Sequence, residues 1–166
     1  MTTKQICYGG VTAALCAVCI ISASGFGIVF PLLISCAVTY YCAIRQGAVC
    51  ATVSAAVANL IAFAFFGITA EFLFSALLFS PFSILVFVTR GLRGKRILIR
   101  WVVFLVFAAA VYALFVTVFA AIIGIKSDDF VFVGVWGFGV IWSIAFAAFG
   151  FVFEKAIDMV AARFKI

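Results

Sequence analysis

Apolar residues in this chain come in long runs, not in alternation with polar ones. Six such runs can be traced: about Ile6 to Ser22, Ile28 to Ile44, Ala48 to Phe66, Ala70 to Thr89, Ile99 to Ile125, and Phe130 to Phe153. Only Glu71 and Arg100 are charged within them, each next to the start of its run. Crossing a bilayer as a helix takes roughly 17 to 25 predominantly apolar residues, and all six runs approach or exceed that length. Short breakers separate them: Ser24-Gly25-Phe26-Gly27, Arg45-Gln46-Gly47 and Gly67. A membrane-spanning barrel would place a polar residue at every second position, whereas Val102–Phe119 is apolar in every direction. Lipid offers no hydrogen-bond partner to a backbone, so each run must satisfy its own peptide groups as a helix. The pattern predicts an all-α, polytopic membrane protein with six transmembrane helices, forming a single transmembrane domain over residues 1–166. Residues 154–166 are expected to form an amphipathic tail. Lys4 and the small residues near Ala23 give the first run some likeness to a cleaved signal. The second run follows so closely that the first is expected to remain as a helix.

Composition agrees with this reading. Hydrophobic residues make up 69% of the chain and charged residues 10%, where a soluble domain carries about 25% charged. Mean hydropathy is +1.45. Charge then orients the spans. Lys4, Arg45, the cluster Arg90, Arg93, Lys95, Arg96 and Arg100, and the tail residues Lys155, Arg163 and Lys165 fall on one side of a six-span arrangement; Lys126 alone falls opposite. Short loops rich in Lys and Arg stay cytoplasmic, which predicts both termini inside. Trp101, beside Arg100, suits the inner interface. The net charge of +6 is thereby accounted for as a topology signal, with no call on nucleic acid.

Glu71, Asp128 and Asp129 fall on the outer side. Thr69 and Ser127 precede them as N-caps of the fourth and sixth spans, and helix N-termini favour both side-chain acceptors and negative charge. Contact with a substrate is a second, compatible role. The tail repeats Phe153, Ile157, Val160, Ala161 and Phe164 on one helical face, suited to lying on the membrane surface.

The chain contains no histidine, no nucleophile with a base at a recognisable spacing, no phosphate-binding glycine loop and no intramembrane acid pair. No enzyme activity, cofactor or metal is expected. Cys16 and Cys19 form a CxxC, but within an apolar run they read as small packing residues. Carriers driven by protons or sodium usually hold an ionisable group at mid-membrane, and the span interiors here are uncharged. Among the uncharged polar residues in the spans, Asn59 must find a partner, since an amide in hydrocarbon is costly; an interhelical hydrogen bond is its expected role. Tyr112 lies near the middle of the fifth span and Trp136 about two turns below the outer end of the sixth. With Glu71, Asp128 and Asp129 above them, Asn59, Tyr112 and Trp136 are candidates to line an outward pocket of apolar walls and few polar groups. Pro31 and Pro81 are expected to bend their spans and open space between helices. Small residues recur four apart at Gly9, Ala13 and Ala17, at Gly10 and Ala14, at Gly47, Ala51 and Ala55, and at Gly139, Ser143 and Ala147, as faces for close helix approach.

These features resemble the substrate-binding membrane subunits (S components) of energy-coupling factor vitamin transporters and a related group of bacterial proteins. The resemblance covers size, six spans and orientation. It rests locally on Gly9-Gly10-Val11-Thr12-Ala13-Ala14-Leu15-Cys16-Ala17, where Ala13-x-x-x-Ala17 is similar to the family's AxxxA motif, on Pro31-Leu32-Leu33 through Arg45-Gln46-Gly47, and on the basic link Arg90–Arg96. It implies a bacterial cytoplasmic-membrane protein with an S-component-like bundle that captures a vitamin or related micronutrient from outside. The ligand would be delivered through a transmembrane coupling protein and two cytoplasmic ATPases, with Gly9, Ala13 and Ala17 as the docking face. The alternatives are a non-catalytic scaffold subunit of a cell-envelope complex, of the rod-shape type, and a carrier or channel formed by oligomerisation. Rod-shape subunits usually carry an acid soon after the third span's glycine-rich run, and here none precedes Glu71.

Overall fold

The computed structural model describes residues 2–92, 96–123 and 132–163, and of residues 26, 118–123, 132–136 and 161 only the backbone. The described chain is helical. Helix α1 covers Thr3–Phe26, α2 Val29–Gln46, α3 Ala48–Phe66, α4 Ala70–Phe74, α5 Ser80–Thr89, α6 Ile97–Ile123 and α7 Phe132–Arg163. A π-helical turn, Ser75–Phe79, joins α4 to α5, so that the two form one span. Six helices among the described residues are long and apolar enough to cross a membrane, as the hydrophobic runs predict. Large side chains such as Val18, Leu60, Leu98, Val106 and Ile141 point outward and are more than half exposed, an arrangement that suits lipid as the solvent.

The helices group into two compact units, residues 1–91 and 92–166. In the first, α1 starts with a capping box: the Thr2 hydroxyl accepts from the Gln5 amide, and the Gln5 side chain accepts from the Thr2 amide. Helices α2 and α3 each end at a glycine with positive φ, Gly47 at +91° and Gly67 at +70°. L side chains rarely adopt that conformation. The Gly47 and Gly67 amides close the preceding turns onto the Ala43 and Phe63 carbonyls, at 2.9 and 2.8 Å.

Named contacts set the packing order of this unit. Gln5 Nε2 donates to the Gln46 carbonyl at 3.3 Å, and Cys16 Sγ lies 3.4 Å from Thr39 Oγ1. Helices α1 and α2 are therefore antiparallel. A Cβ added to Gly9 would stand 3.1 Å from Ser54 Oγ and 3.3 Å from Cys50 Sγ, which places α3 against the start of α1. Phe87 of α5 packs on Cys42, Ala43, Cys50 and Ala51, so α5 ends beside the α2–α3 turn. Lys4, Arg45 and Arg90 consequently share one end of the unit. Leu32, Tyr40, Leu78, Phe82 and Val86 fill its core.

The two prolines occupy different settings. Pro31 is the third residue of α2, in the first turn, where amide donors have no intrahelical acceptor and the missing N–H costs nothing. It bends no span. Pro81 is the second residue of α5, one residue past the π-helical turn; in a regular helix its ring would press on the carbonyl four residues back, at Leu77 within that turn, and the widened turn relieves that clash.

The second unit is an antiparallel hairpin of α6 and α7. Trp101 lies on Phe151 with ring centroids 4.7 Å apart, and Phe107 faces Phe146 at 6.2 Å. Two glycines admit aromatic rings: Gly150 receives Phe104, and Gly139 receives Tyr112, whose Cε1 would be 2.6 Å from an added Cβ. Helix α7 runs unbroken through Phe153 to Arg163, so the tail begins as a continuation of the last span.

Candidate outer-end cleft

The end of the first unit opposite Lys4, Arg45 and Arg90 holds a small cleft. The last turns of α1 supply Ile20, Ile21 and Ser24; the last turns of α3 supply Ala62 and Phe66; Thr69 and Glu71 come from the start of α4. All three helix ends converge here because the glycine breaks at Gly27 and Gly67 turn the chain at the same level. Its volume is about 30 Å³. Since about 10 to 15 Å³ of such space admits one water, the cleft accepts a small head group and not a whole vitamin-sized molecule.

Thr69 acts as the expected N-cap: its Oγ1 accepts from the Phe72 amide at 3.3 Å. Glu71 sits in the first turn behind that cap, half-buried. Its carboxylate has no ion-pair or hydrogen-bond partner among the described residues. It is also the sole acid in residues 1–91. Ser24 donates its hydroxyl proton to the Ile21 carbonyl at 2.9 Å, which leaves its oxygen as an acceptor. The rest of the wall is apolar.

Of the described residues the sequence points to, Glu71 alone lines this cleft. Asn59 is buried in the same unit one turn of α3 deeper than Ala62. Its Nδ2 donates to the Ala55 carbonyl at 2.8 Å and across to Ser80 Oγ of α5 at 3.1 Å, the interhelical bond expected of it. Asn59 Oδ1 and the fully buried Ser75 Oγ of the π-helical turn have no hydrogen-bond partner among the described residues. Tyr112 belongs to the second unit, its ring seated on Gly139 and 6.2 Å from the Phe138 ring. Trp136 lies in α7, but its side chain falls outside the description, and Asp128 and Asp129 lie outside the described residues altogether.

The expected docking face is covered by the protein itself. Gly9 is buried against α3, and Ala13 and Ala17 are each only 4% exposed. Contact through small side chains is what these positions provide, but to the chain's own helices, so a partner cannot reach them in this structure. Ala51, Ala55, Ser143 and Ala147 are likewise buried within their own units. The face of α1 left open carries Gly10, Val11, Ala14, Leu15 and Val18. Cys16 of the CxxC packs among Ser35 and Thr39, and no group of three metal-ligating side chains occurs among the described residues.

Sequence reading missed Ile20, Ile21, Ser24, Ala62 and Phe66. A signal for them existed. Each lies within a turn or two of a glycine break, and the odd-numbered breaks of an antiparallel bundle meet at one end. Comparison of the chain with protein-family profiles, curated proteins and solved structures found no match.

Proposed function

We propose that this chain is a non-catalytic, membrane-embedded binding subunit that captures a vitamin-like small molecule at its outer face and depends on partners for delivery. The observation that carries the reading is the cleft of Glu71: apolar walls, a carboxylate with no partner among the described residues, and every basic residue of that unit at the opposite end. Short basic segments stay in the cytoplasm, which puts Glu71 outside, facing the source of a scavenged nutrient. Apart from the mutually paired Arg100 and Glu154, the span interiors carry no charge that could couple to an ion, so an S-component-like division of labour, with a coupling protein and two ATPases, accounts for the energy source. The coupling protein would meet the open face of α1, at Gly10, Ala14 and Val18. Because the cleft is small, capture of a whole ligand requires the segment around Gly67 to move outward.

The test is purification in detergent followed by native mass spectrometry and a thermal-shift screen across a vitamin panel. A one-to-one copurified small molecule, or a clear stabilisation by one panel member, is expected. Absence of both sinks the reading. Orientation is checked separately with single cysteines in a cysteine-free background: Ile68→Cys should react with an impermeant thiol reagent from outside the cell and Gln46→Cys should not.

The small cleft volume favours a second reading, a scaffold subunit of a cell-envelope complex of the rod-shape type. That reading gains if no ligand is found and cell-wall proteins copurify.

A further inference from the structure

We propose that the ligand of the outer-end cleft is an organic cation, a primary or secondary ammonium with an apolar body, held by Glu71. This rests on the binding-subunit reading above and names the ligand class for the same site.

The argument is one of complementarity. For a carboxylate beside apolar walls, an opposite charge within a few ångströms is the most favourable neighbour it can have. The described residues of this unit supply none: Lys4, Arg45 and Arg90 are at the far end, and Lys4 is separated from Ser24 by 20 residues of α1, about 30 Å at about 1.5 Å per residue. The rim is mainly a set of acceptors. Glu71 offers two oxygens and Ser24 a hydroxyl oxygen whose proton is already committed to Ile21; Thr69 Oγ1 already accepts from Phe72 and retains one proton. An ammonium group brings two or three N–H donors and a positive charge to such a rim. A carboxylate or phosphate would meet Glu71 with like charge and find a single hydroxyl donor.

The remaining walls discriminate further. Phe66 offers an aromatic ring, and cations are attracted to ring faces within about 6 Å. Ile20, Ile21 and Ala62 suit an aliphatic or aromatic body. A metal ion fits poorly: calcium takes about 6 to 8 oxygen ligands, and one carboxylate with two hydroxyls falls short. The volume of about 30 Å³ matches a head group, with the body left outside the cleft.

The test uses the full chain in detergent. Phenethylammonium, 2-phenylethanol and phenylacetate, which share a phenyl body and differ in head-group charge, are titrated by thermal shift alongside the vitamin panel. The tightest binder of the combined set should be a cation. Glu71→Gln should weaken it at least tenfold while lowering the unfolding temperature of the ligand-free protein only slightly, since Glu71 makes no side-chain bond among the described residues and loses only its charge in the first turn of α4. Glu71→Asp should retain part of the affinity. If the tightest binder is neutral or anionic, or if Glu71→Gln binds the cation as well as the native chain does, the ammonium assignment falls while ligand capture stands. If nothing in the set binds, both fall.

Discussion

Arg100 of α6 and Glu154 of α7 form a buried ion pair, their side chains only 3% and 4% exposed. The guanidinium also lies 5.3 Å from the Phe104 ring centroid and 4.8 Å from that of Phe151. Removing one partner from a buried pair strands a charge, whereas replacing both by apolar residues of similar size is often neutral. Glu154→Ala should therefore destabilise the hairpin by about 3 to 5 kcal/mol, read as a lowered unfolding midpoint in detergent. The double variant Arg100→Met/Glu154→Leu should recover most of that loss. Equal midpoints for single and double variants would show that the charges themselves are not what is being stranded.

Gly139 and Tyr112 form a second fixed contact in the hairpin. Because an added Cβ would stand 2.6 Å from the Tyr112 ring, Gly139→Ala must displace that ring, and overpacking of this kind costs about 1 to 3 kcal/mol. Combining it with Tyr112→Leu should cost less than the two single changes added together. Strict additivity in a double-mutant cycle would refute the contact.

Two neighbouring residues on α1 should respond oppositely to tryptophan. Ala13 is buried among the helices of the first unit, so Ala13→Trp should leave little folded protein on size-exclusion chromatography. Ala14 is exposed, so Ala14→Trp should fold and bind ligand normally. If a coupling protein docks on the open face, Ala14→Trp should nevertheless abolish uptake in cells. Normal uptake would move the docking site elsewhere.

The cysteines should fall into reactivity classes. Cys7 is exposed and Cys19 half-buried, while Cys16, Cys36, Cys42 and Cys50 are buried. A maleimide followed by mass spectrometry should add one label quickly, a second slowly, and the remaining four only after denaturation. Cys42 Sγ and Cys50 Sγ are 3.9 Å apart, so copper-phenanthroline should cross-link this pair and no other. Early labelling of Cys42 or Cys50 would contradict the packing of α2 on α3.

Much of the fold was legible because its signals are local. A run of apolar residues long enough to cross a bilayer has only one means of satisfying its backbone, so the number of helices followed from Ile6–Ser22 and its five successors without any tertiary information. The Thr69 cap and the ends at Gly47 and Gly67 were legible for the same reason, since each is decided within a few residues.

Which face of a helix meets which neighbour is a different kind of fact. Gly9, Ala13 and Ala17 were recognisable as a close-packing face, but the spacing is the same whether the partner is the chain's own helices or another protein; in the tertiary structure all three are buried, Gly9 against α3. Arg100 read as one charge among the basic loop and Glu154 as part of a tail, and only the hairpin's register, across 54 residues, buried them together. The cleft was hidden similarly. Its walls are common apolar residues from three helix ends, and nothing in Ile20 or Ala62 announces that Glu71 will stand beside them. The sequence alone determined that the chain forms six apolar helices, because hydrogen bonding in lipid is settled within each segment. The tertiary structure decided which small residues are hidden and that Glu71 has no partner among the described residues, because both depend on contacts between segments distant in the chain.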